Sequence, residues 1–301
     1  MPLRTDIWRS AIVAAPMREL LAGRLAGLQP VWLPATAPFT FDADPFGVWR
    51  DGQLFVFVEN YDYRVRIGGI DVLCFDQDLR LLWRKPCLRE PWHLSYPFLI
   101  EDGAATWMLP EAHRSGGLRL YRATGFPLQW QAAATIELDC VPVDATPVRF
   151  EGRWWLFYSP ATSRRDKISR LHVAWADELT GPWHAHPGNP VRTDISSSRP
   201  GGTPLVVDGQ LVVPMQDCRR TYGGAIRPLT VHRLTTKAFE ADAGAVIAAP
   251  AGLAPYLDGL HTMSSCGSHT LVDAKYIDRS LRGVAIDLGR LLGRFSARSA
   301  S

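Results

Sequence analysis

A hairpin-like segment recurs four times in this sequence, and this recurrence limits the folds that the chain can adopt. Each copy contains a proline, a short apolar run, an acidic residue near a glycine, and a second apolar run that ends in polar residues. The prolines of successive copies are 52, 50 and 57 residues apart. The four copies are ADPFGVWRDGQLFVFVENYD (43–62), SYPFLIEDGAATWMLPEAHR (95–114), ATPVRFEGRWWLFYSPATS (145–163) and GTPLVVDGQLVVPMQDCRR (202–220).

The repeat length predicts a β-propeller. Two strands from each hairpin and two from the segment that follows it would form a four-stranded sheet of about 50 residues, which is one propeller blade. A fifth and weaker copy, GLHTMSSCGSHTLVDAKY, begins at Gly259. We therefore predict an all-β, five-bladed β-propeller over residues 1–275, with blades starting near residues 43, 95, 145, 202 and 260. An irregular β-sandwich is the alternative.

The two ends of the chain complete this prediction. A terminal strand can join the last blade and remove its open edge, and either IWRSAIVAA (7–15) or PVWLP (30–34) could supply it. Residues 276–301 are predicted to form a short C-terminal helix and tail on the propeller flank, or a contact with a partner or a membrane surface. The apolar positions near helical spacing are Leu281, Val284, Ile286, Leu288, Leu291, Leu292 and Phe295.

Charge and cysteine content exclude several classes of function. The 33 basic and 30 acidic residues are interspersed, so the net charge of +3 gives no basic face for nucleic acid. The five cysteines form no CxxC pair, which favours reduced thiols. Neither a signal-peptide pattern nor a long apolar run occurs, so we expect a cytoplasmic protein with no stable membrane insertion.

Polar residues recur at the strand ends that the predicted propeller would place beside its central channel. The first strand of each blade starts near the channel on one face, and the second strand ends at that same face. The starting positions are Asp44, Tyr96, Thr146, Thr203 and His261, and the returning positions are Glu59, Glu111, Ser159, Gln216 and Asp217. We therefore predict a polar pocket at this face.

The ADPF opening, the SYPF and LPEA segments and the GPW tripeptide resemble the five-bladed furanosidase clan that includes glycoside hydrolase families 43, 62, 32 and 68. A closer resemblance is to the N-terminal domain of glucosamine inositolphosphorylceramide transferase and its free-standing bacterial relatives. Its motifs here are HLSYPF (93–98), RPGG (199–202), QDC (216–218), YGGAI (222–226) and LHT (260–262).

The clan resemblance implies roles for three positions. In family 43, a blade-one aspartate is the general base, a blade-two aspartate tunes the acid, and a glutamate before the blade-three strand is the general acid. Asp44 matches the first role. The second position holds Tyr96 and the third region holds Asp144, so the chain departs from the family pattern at both.

Glycosidases use two carboxyl groups, one as acid and one as base or nucleophile. We predict that Asp44 is the base and Glu111 the acid, because the apolar Trp107, Met108 and Leu109 beside Glu111 would raise its pKa. Asp144 is the second choice for the acid. Glu59 and Glu111 occupy the same repeat position and form an alternative pair.

Other residues are predicted to bind the substrate. Arg199 could clamp an anionic group, Trp92 could stack on a sugar, and either His93 or His261 could hold a sugar, a phosphate or a channel-bound cation. No metal-binding triad is evident in the sequence, and no other cofactor is predicted. The predicted substrate-binding residues are Glu59, Trp92, His93, Tyr96, Arg199, Gln216, Asp217, Tyr222 and His261.

Three functions remain open from the sequence. The first is an enzyme that hydrolyses or transfers at a glycosidic bond of a small sugar or glycoconjugate, which could be anionic, in a biosynthetic pathway. The second is a non-catalytic glycan-binding or scaffold propeller that serves a separate transferase. The third is acid–base chemistry on a small metabolite.

Overall fold

A computed structural model of the chain describes residues 5–298, with side chains described for residues 5–289. Five antiparallel sheets follow one another around a central channel, which confirms the predicted five-bladed β-propeller. The chain begins with β1 (Thr5–Val13), the short helix α1 (Met17–Leu21) and β2 (Pro30–Trp32).

The first two blades each use four consecutive strands. Blade 1 contains β3 (Thr40–Arg50), β4 (Gln53–Asp62), β5 (Ile67–Phe75) and β6 (Leu81–Leu88). Blade 2 contains β7 (Ser95–Asp102), β8 (Ala105–Glu111), β9 (Leu118–Gly125) and β10 (Gln129–Ile136), with a 3-10 turn at His113–Ser115.

Blades 3 and 4 have an additional short strand each. Blade 3 contains β11 (Pro142–Phe150), β12 (Arg153–Pro160), the short helix α2 (Asp166–Ser169), β13 (Arg170–Ala176), β14 (His184–Ala185) and β15 (Arg192–Thr193). Blade 4 contains β16 (Arg199–Pro200), β17 (Leu205–Val207), β18 (Gln210–Asp217), β19 (Ala225–Leu234) and β20 (Phe239–Ala243).

Blade 5 joins the two ends of the chain. After a 3-10 turn at Ala251–Leu253, it contains β21 (Gly259–Cys266) and β22 (His269–Asp278). Strand β1 pairs with β22 along its whole length, and β2 then pairs with β1. Both of the N-terminal segments considered from the sequence therefore lie in this sheet.

The inner hairpins of three blades use the same turn chemistry. Asp51-Gly52, Glu151-Gly152 and Asp208-Gly209 all have positive φ angles, from 49° to 50° at the acidic residue and from 74° to 80° at the glycine. Two residues with positive φ are the signature of a type I′ turn, whose twist matches that of the flanking strands. The acidic-glycine dipeptides of the repeat are thus turn residues.

The hydrophobic core lies between adjacent blades rather than at one centre. Neighbouring blades cover both faces of the inner strands of each blade. These strands are therefore continuous apolar runs such as LFVFV and WWLFY. A cluster that includes Phe57 and Met108 joins blades 1 and 2, and another that includes Leu109 and Leu156 joins blades 2 and 3. Comparable clusters join the remaining neighbours.

The C-terminal helix α3 (Leu281–Arg298) begins after β22 and lies against β1. Strand β22 runs to Asp278, so the helix starts later than residue 276. The hydroxyl of Thr5 donates to the carbonyl of Gly283, and Ile286 is buried. The expected packing of Leu291, Leu292 and Phe295 lies outside the residues whose side chains are described. Within residues 5–298, the helices are too short or too polar to span a bilayer.

Candidate functional site

The inner strands of blades 1, 2, 3 and 5 are each interrupted by a β-bulge near the central channel. In blades 1, 2 and 3 the bulge residues Asp44, Tyr96 and Asp144 have φ angles of 50°, 46° and 48°. Such left-handed backbone is uncommon outside glycine, and strain of this kind is concentrated at functional sites. The bulge identifies Asp144, not Thr146, as the blade-3 equivalent of Asp44, which corrects the alignment inferred from the prolines.

The bulge residues Asp44, Asp144 and His261 line one cavity of about 360 Å³ on the channel face, which we call the channel cavity. This volume lies in the range of small-molecule binding sites. Of the residues predicted for the site, the cavity is lined by Asp44, Glu59, His93, Glu111, Asp144, Arg199, Tyr222 and His261. Its other lining residues are Trp8, Phe41, Ala43, Tyr61, Ser95, His113, Val143, Arg164, Lys167 and Ile168.

On the side of blades 1 and 5, His261 lies between two carboxyl groups. Its Nδ1 is 2.7 Å from Oδ2 of Asp273, and its Nε2 is 3.6 Å from Oδ1 of Asp44. Burial alone would lower the pKa of His261, but the charges of Asp273 and Asp44 raise it above its ordinary value. The two carboxyl groups therefore favour the protonated form of the imidazole that lies between them.

Asp273 also fixes the backbone of this region. It is fully buried on β22 and accepts hydrogen bonds from the backbone N–H groups of Asp44 at 2.8 Å and Thr262 at 2.9 Å. The hydroxyl of Thr262 in turn donates to Oδ1 of Asp44 at 2.7 Å. Burial raises the pKa of Asp44, and the charge of His261 and the Thr262 hydrogen bond oppose this increase. We call these four residues the His261 cluster.

On the side of blades 3 and 4, Asp144 is held by two donors. Its Oδ2 accepts hydrogen bonds from Nε of Arg199 at 2.7 Å and from Nε2 of Gln216 at 2.8 Å. Burial nevertheless raises the pKa of Asp144 to about 8, since the charges of Glu111 and Asp44 add to desolvation and outweigh Arg199. Asp144 in its protonated form donates a hydrogen bond to Glu111.

Glu111 has the opposite charge state. Burial would raise its pKa, but the hydrogen bond and charge of His113, together with Arg199, lower the pKa of Glu111 to about 2. This is the reverse of the increase expected from its apolar sequence neighbours, because Met108 and Leu109 face the clusters between blades. We call Glu111, His113, Asp144, Arg199 and Gln216 the Arg199 cluster.

Glu59 lies apart from both clusters, beside His93. Nε2 of His93 is 3.6 Å from Oε1 of Glu59, and Nδ1 of His93 accepts the backbone N–H of Gly68 at 2.8 Å. Burial raises the pKa of Glu59 well above its ordinary value, and the neighbouring carboxylates Asp44 and Glu111 raise it further. Burial lowers the pKa of His93 to about 4. The shifts therefore favour the protonated form of Glu59 and the neutral form of His93.

Four predicted site residues lie outside the lining. Tyr96 is fully buried beneath it, where its hydroxyl contacts Thr146 at 2.8 Å, and Gln216 acts through Asp144. Trp92 packs under the guanidinium of Arg119 at 4.7 Å, so its ring is engaged away from the cavity. Asp217 pairs with Arg219 and lines a different depression.

Sequence reasoning missed several lining residues. Trp8 comes from β1 and stacks on His261, with ring centroids 3.8 Å apart, a contact that nothing local in the sequence indicates. His113, Arg164 and Lys167 follow the returning strands of blades 2 and 3, so the polar residues directly after each repeat were the available signal. Asp273 was detectable as a carboxylate inside the apolar run of β22.

Among the residues whose side chains the structure describes, two groups have the composition of a metal site. Potential ligand atoms of Asp44, His261 and Asp273 lie within 4.8 Å of one another, as do those of Asp139, Cys140 and His172 on the blade-3 side. In the first group, His261 already bonds Asp273, and the pKa of His261 is raised. A metal ion needs a deprotonated ring nitrogen, so it would have to compete with the proton that the raised pKa favours. This arrangement fits an imidazolium ion pair better than a metal centre.

Comparison with solved structures identifies the class of fold. A family 117 glycoside hydrolase from Zobellia galactanivorans, Zg3597, superposes with a TM-score of 0.55 and 14% identity over 81% of this chain and 86% of that chain. An exo-β-1,3-galactanase from Clostridium thermocellum gives a TM-score of 0.52 and 12% identity over 68% of this chain and 50% of that one. At these identities the likeness concerns the fold alone.

Sequence comparison identifies the family. The family described as glucosamine inositolphosphorylceramide transferase 1, N-terminal, matches residues 31–252, and the chain belongs to this family. The transferase 1 proteins of Oryza sativa subsp. indica and Arabidopsis thaliana are 35% and 33% identical over 207 residues, which is 67% of this chain. The chain spans only 28% and 27% of the length of these relatives. The predicted family resemblance is confirmed.

Proposed function

We propose that the channel cavity binds a sugar or glycoconjugate and acts at its glycosidic bond by acid–base chemistry between two carboxyl groups. The observation that carries this proposal is the convergence of four buried carboxyl groups with different protonation states on one cavity. Groups whose environments separate their pKa values are the typical acid and base of a catalytic site. The relatives are named for a sugar transfer, which supports a carbohydrate ligand.

In this proposal Glu59 is the general acid. It lines the cavity, and burial and the neighbouring carboxylates raise its pKa and so favour its protonated form. The adjacent His93, whose pKa is lowered to about 4, disfavours taking up this proton. This assignment replaces Glu111, whose pKa is lowered to about 2 and which would therefore not hold a proton. The pKa of Asp144, about 8, would also suit a general acid. However, Arg199 and Gln216 donate hydrogen bonds to one of its carboxyl oxygens, and its own O–H donates a hydrogen bond to Glu111 and not to a substrate.

Asp44 is the proposed general base, as the sequence also suggested. The charge of His261 and the hydroxyl of Thr262 favour its ionised form. Glu59 would donate its proton to the leaving oxygen as the glycosidic C–O bond breaks. Asp44 would accept the proton of a water or of an acceptor hydroxyl, whose oxygen forms the new bond to the anomeric carbon.

The test separates turnover from binding. Wild type, Asp44→Asn and Glu59→Gln would be assayed on aryl glycosides and on sugar nucleotides with an inositol-containing acceptor, and sugar binding would be measured by calorimetry. Each substitution is expected to reduce turnover by about 10²- to 10⁴-fold while binding is retained. Glu101→Gln is the matched control, because Glu101 is exposed near the far end of β7. Full turnover in both variants would contradict the proposal.

A second function is favoured by the length of the relatives. Since the chain corresponds to about a quarter of those proteins, the propeller could be a glycan-binding module that serves a separate transferase. This alternative predicts that wild type binds a sugar but turns over none of the substrates. Asp44→Asn would then change affinity alone.

A further inference from the structure

The blade-3 edge of the channel cavity is formed by the segment between β12 and β13. This segment contributes Arg164, Lys167 and Ile168 to the lining. Its backbone is fixed, because Nη1 of Arg199 donates to the carbonyl of Lys167 at 3.0 Å and the hydroxyl of Ser169 donates to the carbonyl of Arg165 at 2.8 Å. The two cationic side chains therefore project from an ordered support.

The other basic residues around the cavity are engaged. Arg199 bonds Asp144, His261 bonds Asp273, and His113 bonds Glu111. In contrast, the side chains of Arg164 and Lys167 form no hydrogen bond or ion pair among the residues that the structure describes. Glu111 and Asp144, which act electrostatically on Lys167, are already held by His113 and Arg199 respectively.

Leaving Lys167 unpaired is costly because its side chain is half-buried. Burial lowers the pKa of Lys167, although Glu111 opposes this effect, so the protein alone does not compensate its charge. Buried charges in proteins are normally paired. Lys167, partly buried without an anionic partner among the described residues and flanked by the exposed Arg164 at the edge of the cavity, is the arrangement expected when a ligand supplies the anion.

We propose that Arg164 and Lys167 form a subsite for the phosphate group of a phosphorylated sugar or of a phosphodiester-linked glycoconjugate. This inference rests on the proposed function, since it assumes that the sugar itself lies toward Asp44 and Glu59. A guanidinium provides a fork of donors and an ammonium provides a compact charge. Together they match a tetrahedral group with several anionic oxygens better than a single carboxylate, which one arginine can satisfy.

Calorimetry on the full chain tests this subsite with matched probes. The pairs are myo-inositol with myo-inositol 1-phosphate, and N-acetylglucosamine with N-acetylglucosamine 1-phosphate. Phosphatidylcholine vesicles with and without phosphatidylinositol form a third arm, and inorganic phosphate is the competitor. We expect the phosphorylated member of at least one pair to bind about tenfold more tightly or more, and its affinity to fall as salt rises.

The variant Arg164→Ala/Lys167→Ala should lose this preference. Arg165→Ala is the matched control, because Arg165 is an exposed arginine of the same segment that lies outside the cavity lining. Dependence on the two residues with a soluble probe supports the subsite for a soluble ligand. The same dependence on phosphatidylinositol vesicles alone supports it for a lipid headgroup.

Three outcomes would overturn the subsite: equal binding within every pair, a phosphate preference that survives in the double variant, or no binding of any phosphorylated probe. Failure of the proposed catalysis is distinguishable from each of these. If phosphate preference depends on Arg164 and Lys167 but Asp44→Asn and Glu59→Gln leave turnover unchanged, the subsite stands and the acid–base assignment falls.

Discussion

Nε2 of His93 lies 3.6 Å from Oε1 of Glu59, while Nδ1 of the same ring accepts the backbone N–H of Gly68. Because Nδ1 is an acceptor, the single proton of the neutral ring is on Nε2 and faces Glu59. Burial lowers the pKa of His93 to about 4 and raises the pKa of Glu59. Both shifts therefore oppose an ion pair between the two groups.

Replacing Glu59 by glutamine should remove the alkaline limb of the pH–rate profile. The raised pKa of Glu59 extends its protonated form to higher pH, and activity should fall as this carboxyl loses its proton. Measurement of kcat/KM against pH for wild type and Glu59→Gln checks this. Infrared difference spectra at neutral pH give a substrate-free test, since only wild type should contribute the band of a protonated Glu59 carboxyl. An unchanged spectrum would exclude the assignment.

Substituting Gly68 should disturb the same pair without unfolding the blade. A Cβ atom at Gly68 would lie 2.7 Å from the carbonyl of Leu94, 2.8 Å from Oε1 of Glu59 and 2.9 Å from Cε1 of His93. Gly68→Ala is therefore expected to displace both side chains and to weaken sugar binding and turnover. Gly117→Ala is the control, because its Cβ would meet open space. Equal ligand affinity in the two variants would count against this close packing.

The sequence predicted the fold because its signals are local and periodic. The acidic-glycine turns and the apolar runs repeat along the chain, and the returning positions Glu59 and Glu111 were aligned correctly since strand alternation carries the register. The blade-3 start was misaligned by two residues. Its bulge lies at Asp144 and Ala145, before Pro147, and a bulge is a backbone feature that the proline does not mark.

The site was harder to predict because its charge states depend on contacts between blades. Arg199 was expected to be an open clamp, but it is buried against Asp144, which lies 55 positions away in the sequence. Glu111 was expected to be the general acid, with a raised pKa. His113 and Arg199 instead lower its pKa to about 2. Local composition does not report such contacts, since each requires the complete ring of blades.

Asp144 should make the stability of the protein dependent on pH. Its folded pKa of about 8 lies above the unfolded value of 3.8, so the native state binds more protons than the unfolded state between these values. The contribution of Asp144 to the free energy of unfolding is then most favourable at the acidic end of this window, and it is lost as pH rises through the folded pKa. Asp144→Asn cannot titrate, so its midpoint of urea unfolding should fall less than that of wild type between about pH 5 and pH 9. Parallel curves would contradict the raised pKa.

Removal of Arg199 should strongly destabilise the propeller. Its guanidinium donates to Asp144 at 2.7 Å and to the Tyr222 hydroxyl at 3.3 Å, and it also bonds the carbonyl of Lys167, so it joins blades 3 and 4. Its anionic partner is the ionised Glu111, whose Oε2 lies 3.9 Å from Nη2 of Arg199. Breaking a buried ion pair by removing one partner costs about 3–5 kcal/mol, because the other charge remains buried.

We therefore expect Arg199→Ala to reduce the free energy of unfolding in urea by about this amount. Arg199→Lys should have a stability between those of wild type and Arg199→Ala, because lysine keeps the charge but lacks the several N–H donors of the guanidinium. Arg233→Ala is the control, since Arg233 and its partner Glu240 are both exposed and such a pair contributes about 1 kcal/mol or less. An Arg199→Ala variant as stable as the Arg233→Ala variant would show that the Arg199 cluster serves the ligand rather than the fold. In that case Arg199→Ala should still weaken the phosphate subsite, because the variant lacks the hydrogen bond from Arg199 to the backbone carbonyl of Lys167.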